Sequence, residues 1–307
     1  MSVETVEYMG AGMVMEIKNS FLKIEIASRG GELRSAQDSG GREYLWQGNS
    51  LYWEDRAPNL FPYIARLTNG KYRFKGREYS MEAHGFLHTS ELRTVWKRET
   101  ALRLTLAATE ETKRQYPFEF EFFVEYRLEG RRLDICYEVH NTAGLQENKM
   151  YFGIGGHPGF QVPLDDGLRF EDYYLEFGGG GSCRRIGFSE DHFITGEEED
   201  FPLPDNRLPL KHELFDDDAI VLRDMSDSVE LASRCEGRFV KVCYPQMKYL
   251  GIWHAPHTDA PYVCIEPWSS LPSRKGIIEE LETQDNLVTL EAGAVYKNNW
   301  CIEFGYR

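Results

Sequence analysis

The 307-residue sequence lacks the cysteine spacing and the long apolar runs that define several common classes of protein. Its six cysteines are scattered without a CxxC pair, so the ligand spacing of a structural zinc centre is absent. No apolar run approaches the roughly 20 residues of a membrane span. The first residues also lack the basic and then apolar segments of a signal peptide. We therefore expect a cytoplasmic protein with reduced thiols, no metal and no membrane partner.

The sequence also lacks an excess of basic residues. Lysine and arginine number 35 against 50 acidic residues, which gives a formal net charge of −15. Nucleic acids and anionic membranes select basic surfaces, so neither is expected as the main partner.

Patterns typical of amphipathic helices are nearly absent, and alternation of apolar and polar residues predicts strands instead. The segment 118–141 predicts a hairpin of two long strands joined at "EGRR". Further strands are predicted at 21–27, 101–108, 173–178, 219–224, 228–233, 239–245, 249–255, 262–268, 287–293 and 296–304. "SRKGIIEELE" is the best short helix pattern, and "TGEEEDFPLPDN" (195–206) predicts an exposed loop. The chain is therefore expected to be all-β, a sandwich or barrel with few short helices, in one domain over 1–307.

Two stretches place polar side chains in unusual settings. Arg66 lies in the apolar "NLFPYIARLTNG", where a buried guanidinium needs either an ion-pair partner or substrate oxygens to bind. His84 and His88 in "EAHGFLHTSEL" are four residues apart, but this glycine-bearing segment follows a strand. It is a poor match for the helical HxxxH metal pair. On its own, His84 is typical of a histidine bonded to its neighbours or exposed.

Two further stretches hold an imidazole and a carboxylate at the ends of strands. In "YFGIGGHPGF" (151–160), Pro158 favours an extended His157, and the glycines before it are expected to let a ligand approach the backbone. In "VCIEPW", Glu266 follows an apolar strand, and partial burial would raise its pKa and make it a better base. The alternative for Glu266 is a hydrogen bond to a loop backbone.

Another histidine pair lies in "WHAPHTD", where His254 and His257 are three residues apart in a predicted loop. Such a pair is compatible with a metal site. It is more typical of two loop histidines, one of which lines a pocket through its neighbour Trp253.

Taken together, these stretches resemble the galactose mutarotase-like (aldose 1-epimerase) family, most closely its LacX-like branch. "LFPYIARLTNGKYRFKGREYSMEAHGF" is similar to the branch's "LFPxxGRLxxGxYxxxGxxYxxxxHGF", "GGHPGF" to its "GxHPxF" and "VCIEPW" to its "xCxEPW". Upstream, "GGELRSAQDSGGREYLWQGNSLYW" is similar to the family's "GAEL…EYLWxGD…YW". The match runs in order from about Gly30 to near the C-terminus, and the ordered set is specific.

The resemblance implies a large antiparallel β-sandwich of the galactose mutarotase type. It also implies an enzyme that interconverts the α and β anomers of a hexose by opening and closing the ring. Glu266 matches the family's general base and His157 its general acid, while His84 and Arg66 match residues that hold and polarise the sugar. Asp218 lies in "LFDDDAIVL", similar to the branch's "LFxxDALxF", although two other aspartates adjoin it.

Other residues bear on the sugar pocket. Phe61 and Trp268 are aromatic, and the apolar faces of a sugar pack on such rings. Ala65 stands where the branch usually has glycine and other mutarotases have asparagine. His254 stands where the branch more often has a small polar residue, so both positions bear on sugar preference. The implied chemistry needs no metal and no redox cofactor.

Two alternatives are weighed against the mutarotase. A hexose-6-phosphate 1-epimerase would need a basic cluster for the phosphate. "KYRFKGR" (71–77) supplies four cations on one strand face, although such a face is more typical of a solvated surface. A non-catalytic sugar-binding or sensing protein on the same fold would not need both Glu266 and His157. The sequence does not reveal the sugar, and we expect a monomer or a homodimer.

Overall fold

The computed structural model describes residues 12–144, 149–179, 183–235 and 237–307, which consist largely of β-strands. Numbered in chain order, the strands are β1 (Val14–Lys18), β2 (Leu22–Ala27), β3 (Leu33–Asp38), β4 (Asn59–Leu60), β5 (Lys71–Phe74), β6 (Arg77–Ser80), β7 (Arg93–Lys97), β8 (Ala101–Ala107), β9 (Phe120–Glu129), β10 (Arg132–Asn141), β11 (Met150–Phe152), β12 (Gly155–Gly156), β13 (Gly159–Gln161), β14 (Tyr173–Phe177), β15 (Arg184–Phe188), β16 (Ile194–Asp200), β17 (Arg207–Pro209), β18 (Ile220–Arg223), β19 (Ser228–Ser233), β20 (Arg238–Cys243), β21 (Tyr249–Trp253), β22 (Tyr262–Trp268), β23 (Glu279–Glu280), β24 (Val288–Leu290) and β25 (Val295–Tyr306). Within the described ranges, the only α-helix is α1 (Glu110–Gln115). Short 3-10 turns lie at Thr68–Gly70, Leu87–Thr89, Phe170–Asp172, Pro204–Asn206 and His212–Phe215.

Two large antiparallel sheets dominate the fold. The first has the strand order β17-β14-β19-β20-β25-β10-β9-β8-β7. The second has the order β16-β15-β18-β21-β22-β12-β4, and β13 also pairs with β22 beside β12. Smaller sheets are formed by β1-β2-β3, by β11-β24 and by β23-β5-β6. The long crossings between sheets place residues from distant parts of the chain on neighbouring strands.

The main core is built from the buried faces of these sheets. Every second residue of β9 is buried, which is the pattern of a strand with one face against a core. Val263 and Ile265 of β22 belong to the same apolar cluster as these β9 residues. The all-β prediction is confirmed. The apolar residues that alternate with polar ones in the sequence are the side chains that face the core.

The predicted hairpin is confirmed, since β9 and β10 pair from Glu129↔Arg132 onward. Two local predictions are wrong. "SRKGIIEELE" is not a helix, because Gly276 has φ +72° and the Glu279 carboxylate turns back to bond the backbone and side chain of Arg274. The acidic stretch predicted as a loop contains β16, which pairs with β15 at the sheet edge. Exposed edge strands carry charged residues, and that masked the strand in the sequence.

All six cysteines lie in described residues, and none of them forms a disulfide. No helix in the described ranges is both long enough and apolar enough to cross a membrane.

Candidate active site

The strand ladder of the second sheet places His157 directly across from Glu266. β22 lies between β21 on one side and β12 and β13 on the other. Gly159 of β13 pairs with Cys264, so His157, two residues earlier, lies opposite Glu266. His157 Nε2 lies 3.1 Å from Glu266 Oε2. The two residues that the sequence suggested as acid and base are therefore neighbours.

The pair faces away from the main core. Side chains of a strand alternate between its faces, so Cys264, Glu266 and Trp268 share one face of β22. Val263 and Ile265 point to the other face and belong to the main core. Cys264 packs in a separate apolar cluster with Tyr262 and other residues near the chain's tryptophans. This arrangement gives the pair an aromatic setting outside the main core.

Glu266 is a desolvated carboxyl group. Its side chain is almost fully buried, and burial raises its pKa well above the usual value. The negative charge of Asp218 raises that pKa further, and the indole N–H of Trp268 acts in the opposite direction. Although Oε2 lies within ion-pair distance of His157, the atoms are not aligned for a hydrogen bond. Oε2 has no hydrogen-bond partner in the part of the chain that the structure describes.

His157 is enclosed by aromatic rings. Its ring centroid lies 4.8 Å from that of Trp53, 5.5 Å from His84 and 5.8 Å from Trp253. Burial holds the pKa of His157 well below its usual value, and the proximity of His84 lowers it further. The backbone N–H of His157 donates to the Pro58 carbonyl at 2.9 Å, which fixes the position of the residue.

His84 is held by a reciprocal backbone lock with Ala65. The Ala65 N–H donates to His84 Nδ1 at 3.2 Å, and the His84 N–H donates to the Ala65 carbonyl at 2.8 Å. Both residues have positive φ, 54° and 63°, a strained conformation for residues with a side chain. Because Nδ1 accepts a hydrogen bond, the neutral ring carries its proton on Nε2. Burial lowers the pKa of His84 to about 3, so it is a neutral donor.

The backbone geometry at Ala65 explains why the resemblance pattern has glycine or asparagine at this position, and nothing in the structure explains the alanine. Glycine and asparagine are the residues that most readily adopt φ near +54°, and they are the ones expected there. Arg66, which follows, is exposed rather than buried. Its guanidinium has no ion-pair partner among the described residues. The structural ion pair considered for Arg66 is therefore wrong, and the group is available to a ligand.

Asp218 joins the pair to a neighbouring cleft. Its Oδ1 accepts a hydrogen bond from Trp253 Nε1 at 2.7 Å, and its Oδ2 lies 2.7 Å from His192 Nδ1. Trp253 in turn contacts the ring of His157. Asp218 also lines a cleft of about 950 Å³ between the β15–β16 hairpin and the 216–219 and 256–257 segments. Neither Glu266 nor His157 lines that cleft. Asp218 connects the cleft to the pair through its hydrogen bond with Trp253.

Two residues expected in the pocket lie elsewhere. Phe61 is fully buried in the main core, where its ring contacts Phe86, Tyr116, Phe120, Phe122 and Phe152. His254 is also fully buried, with His212 Nδ1 3.1 Å from its Nε2 and the Ala255 carbonyl 2.8 Å from its Nδ1. It follows Trp253 and points to the opposite side of the sheet. Neither residue can touch a ligand beside Glu266 in this conformation.

The metal pair considered for His254 and His257 is also wrong. His257 is exposed and lies 3.2 Å from Asp216, whereas the partner of His254 is His212. Trp268, by contrast, lies close to the pair, two residues after Glu266. It shares the face of Glu266 on β22 and its indole N–H lowers the pKa of that carboxyl group.

The glycines of "GGHPGF" serve packing, which corrects the expectation that they admit a ligand. A Cβ on Gly155 would lie 2.7 Å from the Pro267 carbonyl oxygen and 2.9 Å from Trp268 Cδ1. A Cβ on Gly156 would lie 2.6 Å from Trp300 Cζ2. Both positions are already filled by tryptophan rings or backbone. The glycines thus allow the short strand β12 to lie against these rings, and this packing places His157.

Sequence reasoning missed three contributors to the site. Trp53 lies in the stretch "YLWQGNSLYW", whose resemblance was noted, but its contact with His157 depends on a loop returning over the sheet. His192 lies in the turn between β15 and β16, with no motif around it. Cys264 stood out in the sequence only as one of six scattered cysteines. Its Sγ, His157 and Glu266 each offer a ligand atom within 4.8 Å of the others.

The arrangement of two large antiparallel sheets is the fold of galactose mutarotase-like proteins. The chain belongs to the aldose 1-epimerase family, whose sequence model matches residues 13–300. This finding confirms the resemblance seen in the motifs.

Individual relatives agree with this assignment. The LacX protein of Lactococcus lactis is 33% identical over 267 residues, which cover 84% of this chain and 88% of the relative. A galactose mutarotase related enzyme from Lactobacillus acidophilus superposes with a TM-score of 0.90 at 30% identity, covering 95% of this chain and 97% of the other. A galactose mutarotase-like protein from Lactobacillus casei gives 0.89 at 32% identity, covering 95% and 100%.

Proposed function

We propose that the protein is an aldose 1-epimerase that interconverts the α and β anomers of an unphosphorylated hexose. The observation that carries this proposal is the contact between His157 and Glu266, enclosed on the non-core face of β22. Glu266 takes the proton of the 1-hydroxyl while His157 delivers a proton to the ring oxygen. The ring opens, the C1–C2 bond rotates, and the reverse transfers close the ring on the other face.

The spacing of the pair suits this chemistry. The 1-hydroxyl oxygen and the ring oxygen are both bonded to C1, so the base and the acid must act on atoms that are very close together. Glu266 and His157 lie 3.1 Å apart on adjacent segments of the second sheet. A sugar that enters between them can therefore place its 1-hydroxyl against one group and its ring oxygen against the other. A sugar-binding protein has no such requirement, which favours an enzyme over a sensor.

The pair works with one proton between its two members. Burial raises the pKa of Glu266 and lowers that of His157, so without sugar the single proton of the pair resides on Glu266. The reactive form, with Glu266 ionised and His157 protonated, therefore requires that this proton pass to His157 when the sugar is bound. Proton transfer through the sugar moves this proton from one group to the other during ring opening and returns it during closure. Such a group typically contributes about 10²–10⁴ in rate.

Two donors beside the pair are suited to hold the sugar. The neutral His84 offers its Nε2–H next to His157, and Arg66 follows directly after the backbone lock that fixes His84. A guanidinium without an ion-pair partner in the described ranges can donate to hydroxyl groups without losing a salt bridge. We propose for both residues the sugar-holding roles that the resemblance implies.

The charges around the pair favour a neutral sugar over a sugar phosphate. Besides Asp218, the cleft is lined by six carboxylates and one arginine, Arg185, so its net negative charge disfavours a phosphate, although Glu198 and Glu199 are paired with arginines. The cations considered for phosphate binding lie on the hairpin of β5 and β6, where Lys71 and Arg73 already contact Glu78. A free hexose is therefore the substrate we propose.

Polarimetry on freshly dissolved α-glucose and α-galactose tests the proposal. We expect optical rotation to reach equilibrium faster with the protein than in buffer, in proportion to protein concentration. The 6-phosphates, followed in parallel, are expected to show a much smaller acceleration. Calorimetric binding of a hexose without any acceleration would show that the protein binds sugars but does not turn them over, and the enzyme proposal would then be abandoned.

Replacement of Asp218 by asparagine is expected to shift the pH profile. Its negative charge helps to raise the pKa of Glu266, so Asp218→Asn should lower that pKa. The high-pH limb of kcat/KM, where the pair loses its last proton, should then move to lower pH. Asp217→Asn, at the exposed neighbouring carboxylate, is the matched control and should leave the limb in place. A limb unmoved in both variants would contradict this electrostatic role of Asp218.

A further inference from the structure

We propose that His157, Cys264 and Glu266 together form a binding site for Zn²⁺, and that zinc bound there blocks the acid and the base. The metal-binding part of this inference goes beyond the proposed anomerisation and does not depend on it. No other group of three or more metal-ligating side chains comes this close together in the part of the chain that is described.

The strand ladder brings the three ligands to one point. Cys264 and Glu266 are two residues apart on β22, so their side chains leave the same face of the sheet. His157 lies across the ladder from Glu266, beside Cys264 on the diagonal. Cys264 and Glu266 lie in β22, and His157 lies in the short link between β12 and β13, both of which pair with β22, so the ligands are held by the sheet.

The distances suit zinc. The three ligand atoms lie within 4.8 Å of one another. Tetrahedral zinc with bonds of about 2.0–2.3 Å requires ligand atoms about 3.3–3.8 Å apart. Side-chain adjustments of roughly 1 Å therefore bring the three groups to coordination distance.

The chemistry of the ligands selects the metal. A thiolate, an imidazole and a carboxylate are the three ligand types that zinc accepts, whereas magnesium and calcium prefer oxygen atoms only. Glu266 Oε2 is buried and has no hydrogen-bond partner in the described residues, so a cation would supply the missing interaction. The CxxC spacing of structural zinc centres is not needed, because only one thiol takes part.

Absorption spectroscopy with Co²⁺ as a zinc substitute tests the site directly. Chelator-treated wild-type protein is expected to develop the visible bands of tetrahedral Co²⁺ and a near-ultraviolet thiolate-to-metal band, and stoichiometric Zn²⁺ should remove both. Cys264→Ser should lose the thiolate band and bind Zn²⁺ about 10–100-fold more weakly by calorimetry. Cys183→Ser, at another buried thiol, is the matched control and should behave as wild type.

Two outcomes would overturn the proposal. One is the absence of a thiolate band in the folded wild-type protein, and the other is an equal band in Cys264→Ser. If Cys264→Ser does not fold, as judged by circular dichroism, His157→Asn gives a second test through loss of the tetrahedral spectrum. Anomerisation that continues unchanged at saturating Zn²⁺ would overturn the blocking step. If the protein had no epimerase activity, the Co²⁺ spectra would still test the zinc-binding proposal.

Discussion

Glu266→Gln is expected to lower kcat for hexose anomerisation by about 10²–10⁴-fold. An amide cannot take the proton of the 1-hydroxyl, although it has nearly the same shape as the carboxyl group. The side chain is buried and its Oε2 makes no hydrogen bond to a described residue, so the exchange should leave the fold intact. Polarimetry at saturating sugar measures the loss, and calorimetry should show that the variant still binds the sugar.

Glu138→Gln provides the matched control for this variant. Glu138 is also a buried glutamate, but it lies on β10 in the nine-stranded sheet and pairs with Arg103 and Lys297. Its pKa is lowered to about 2, chiefly by hydrogen bonds and charges that outweigh burial, so the amide should reduce stability. The folded control should keep its kcat. A Glu266→Gln variant with kcat within a few-fold of wild type would refute the assignment of the base.

His157→Asn should lower kcat by a similar factor of about 10²–10⁴, because no group is left to protonate the ring oxygen. The shape of the pH profile is a sharper readout. Wild type needs one proton on the pair, so its activity should fall at low pH, when both groups are protonated, and at high pH, when neither is. In the variant only Glu266 titrates, and it is a base only when ionised. The residual activity should therefore rise with pH through the raised pKa of Glu266.

His140→Asn is the corresponding control. His140 lies on β10 in the nine-stranded sheet and contacts Glu138, whereas the pair lies in the second sheet. It should retain the wild-type rate and the bell-shaped profile. If His157→Asn retained the bell shape as well, another residue would have to supply the second titration.

The sequence was sufficient to predict the fold class and the central pair. Period-two patterns survive in β9 and in much of β10 because these long strands bury one face each, and the ordered motifs pointed to Glu266, His157, His84 and Arg66. Roles that depend on which face of a sheet a side chain occupies were harder to predict. Phe61 is next to β4 and close to the site in sequence, yet its ring belongs to the main core.

Other features required contacts between distant segments. The lock between Ala65 and His84 joins two loops, and both residues have positive φ. The sequence hints at this conformation only through the resemblance pattern, which has glycine or asparagine at the position of Ala65. His192 reaches Asp218 from the turn of a hairpin whose second strand was read as an acidic loop. The glycines before His157 suggested an approach for a ligand, but the space is occupied by tryptophan rings that come from much later in the chain.

His157 and Glu266 lie opposite each other on adjacent segments of the second sheet, and this limits how the sequences of proteins with such a fold can diverge. The separation of the acid and the base is set by the spacing of adjacent strands, which loops do not control. Insertions in the β15–β16 hairpin or in the loop that carries Trp53 can therefore remodel the rim without disturbing the pair. A one-residue insertion between Gly155 and Gly159, by contrast, would turn the imidazole to the other face of the sheet. Substrate range can thus evolve by exchange of loops, while chemistry is either kept whole or lost in one step.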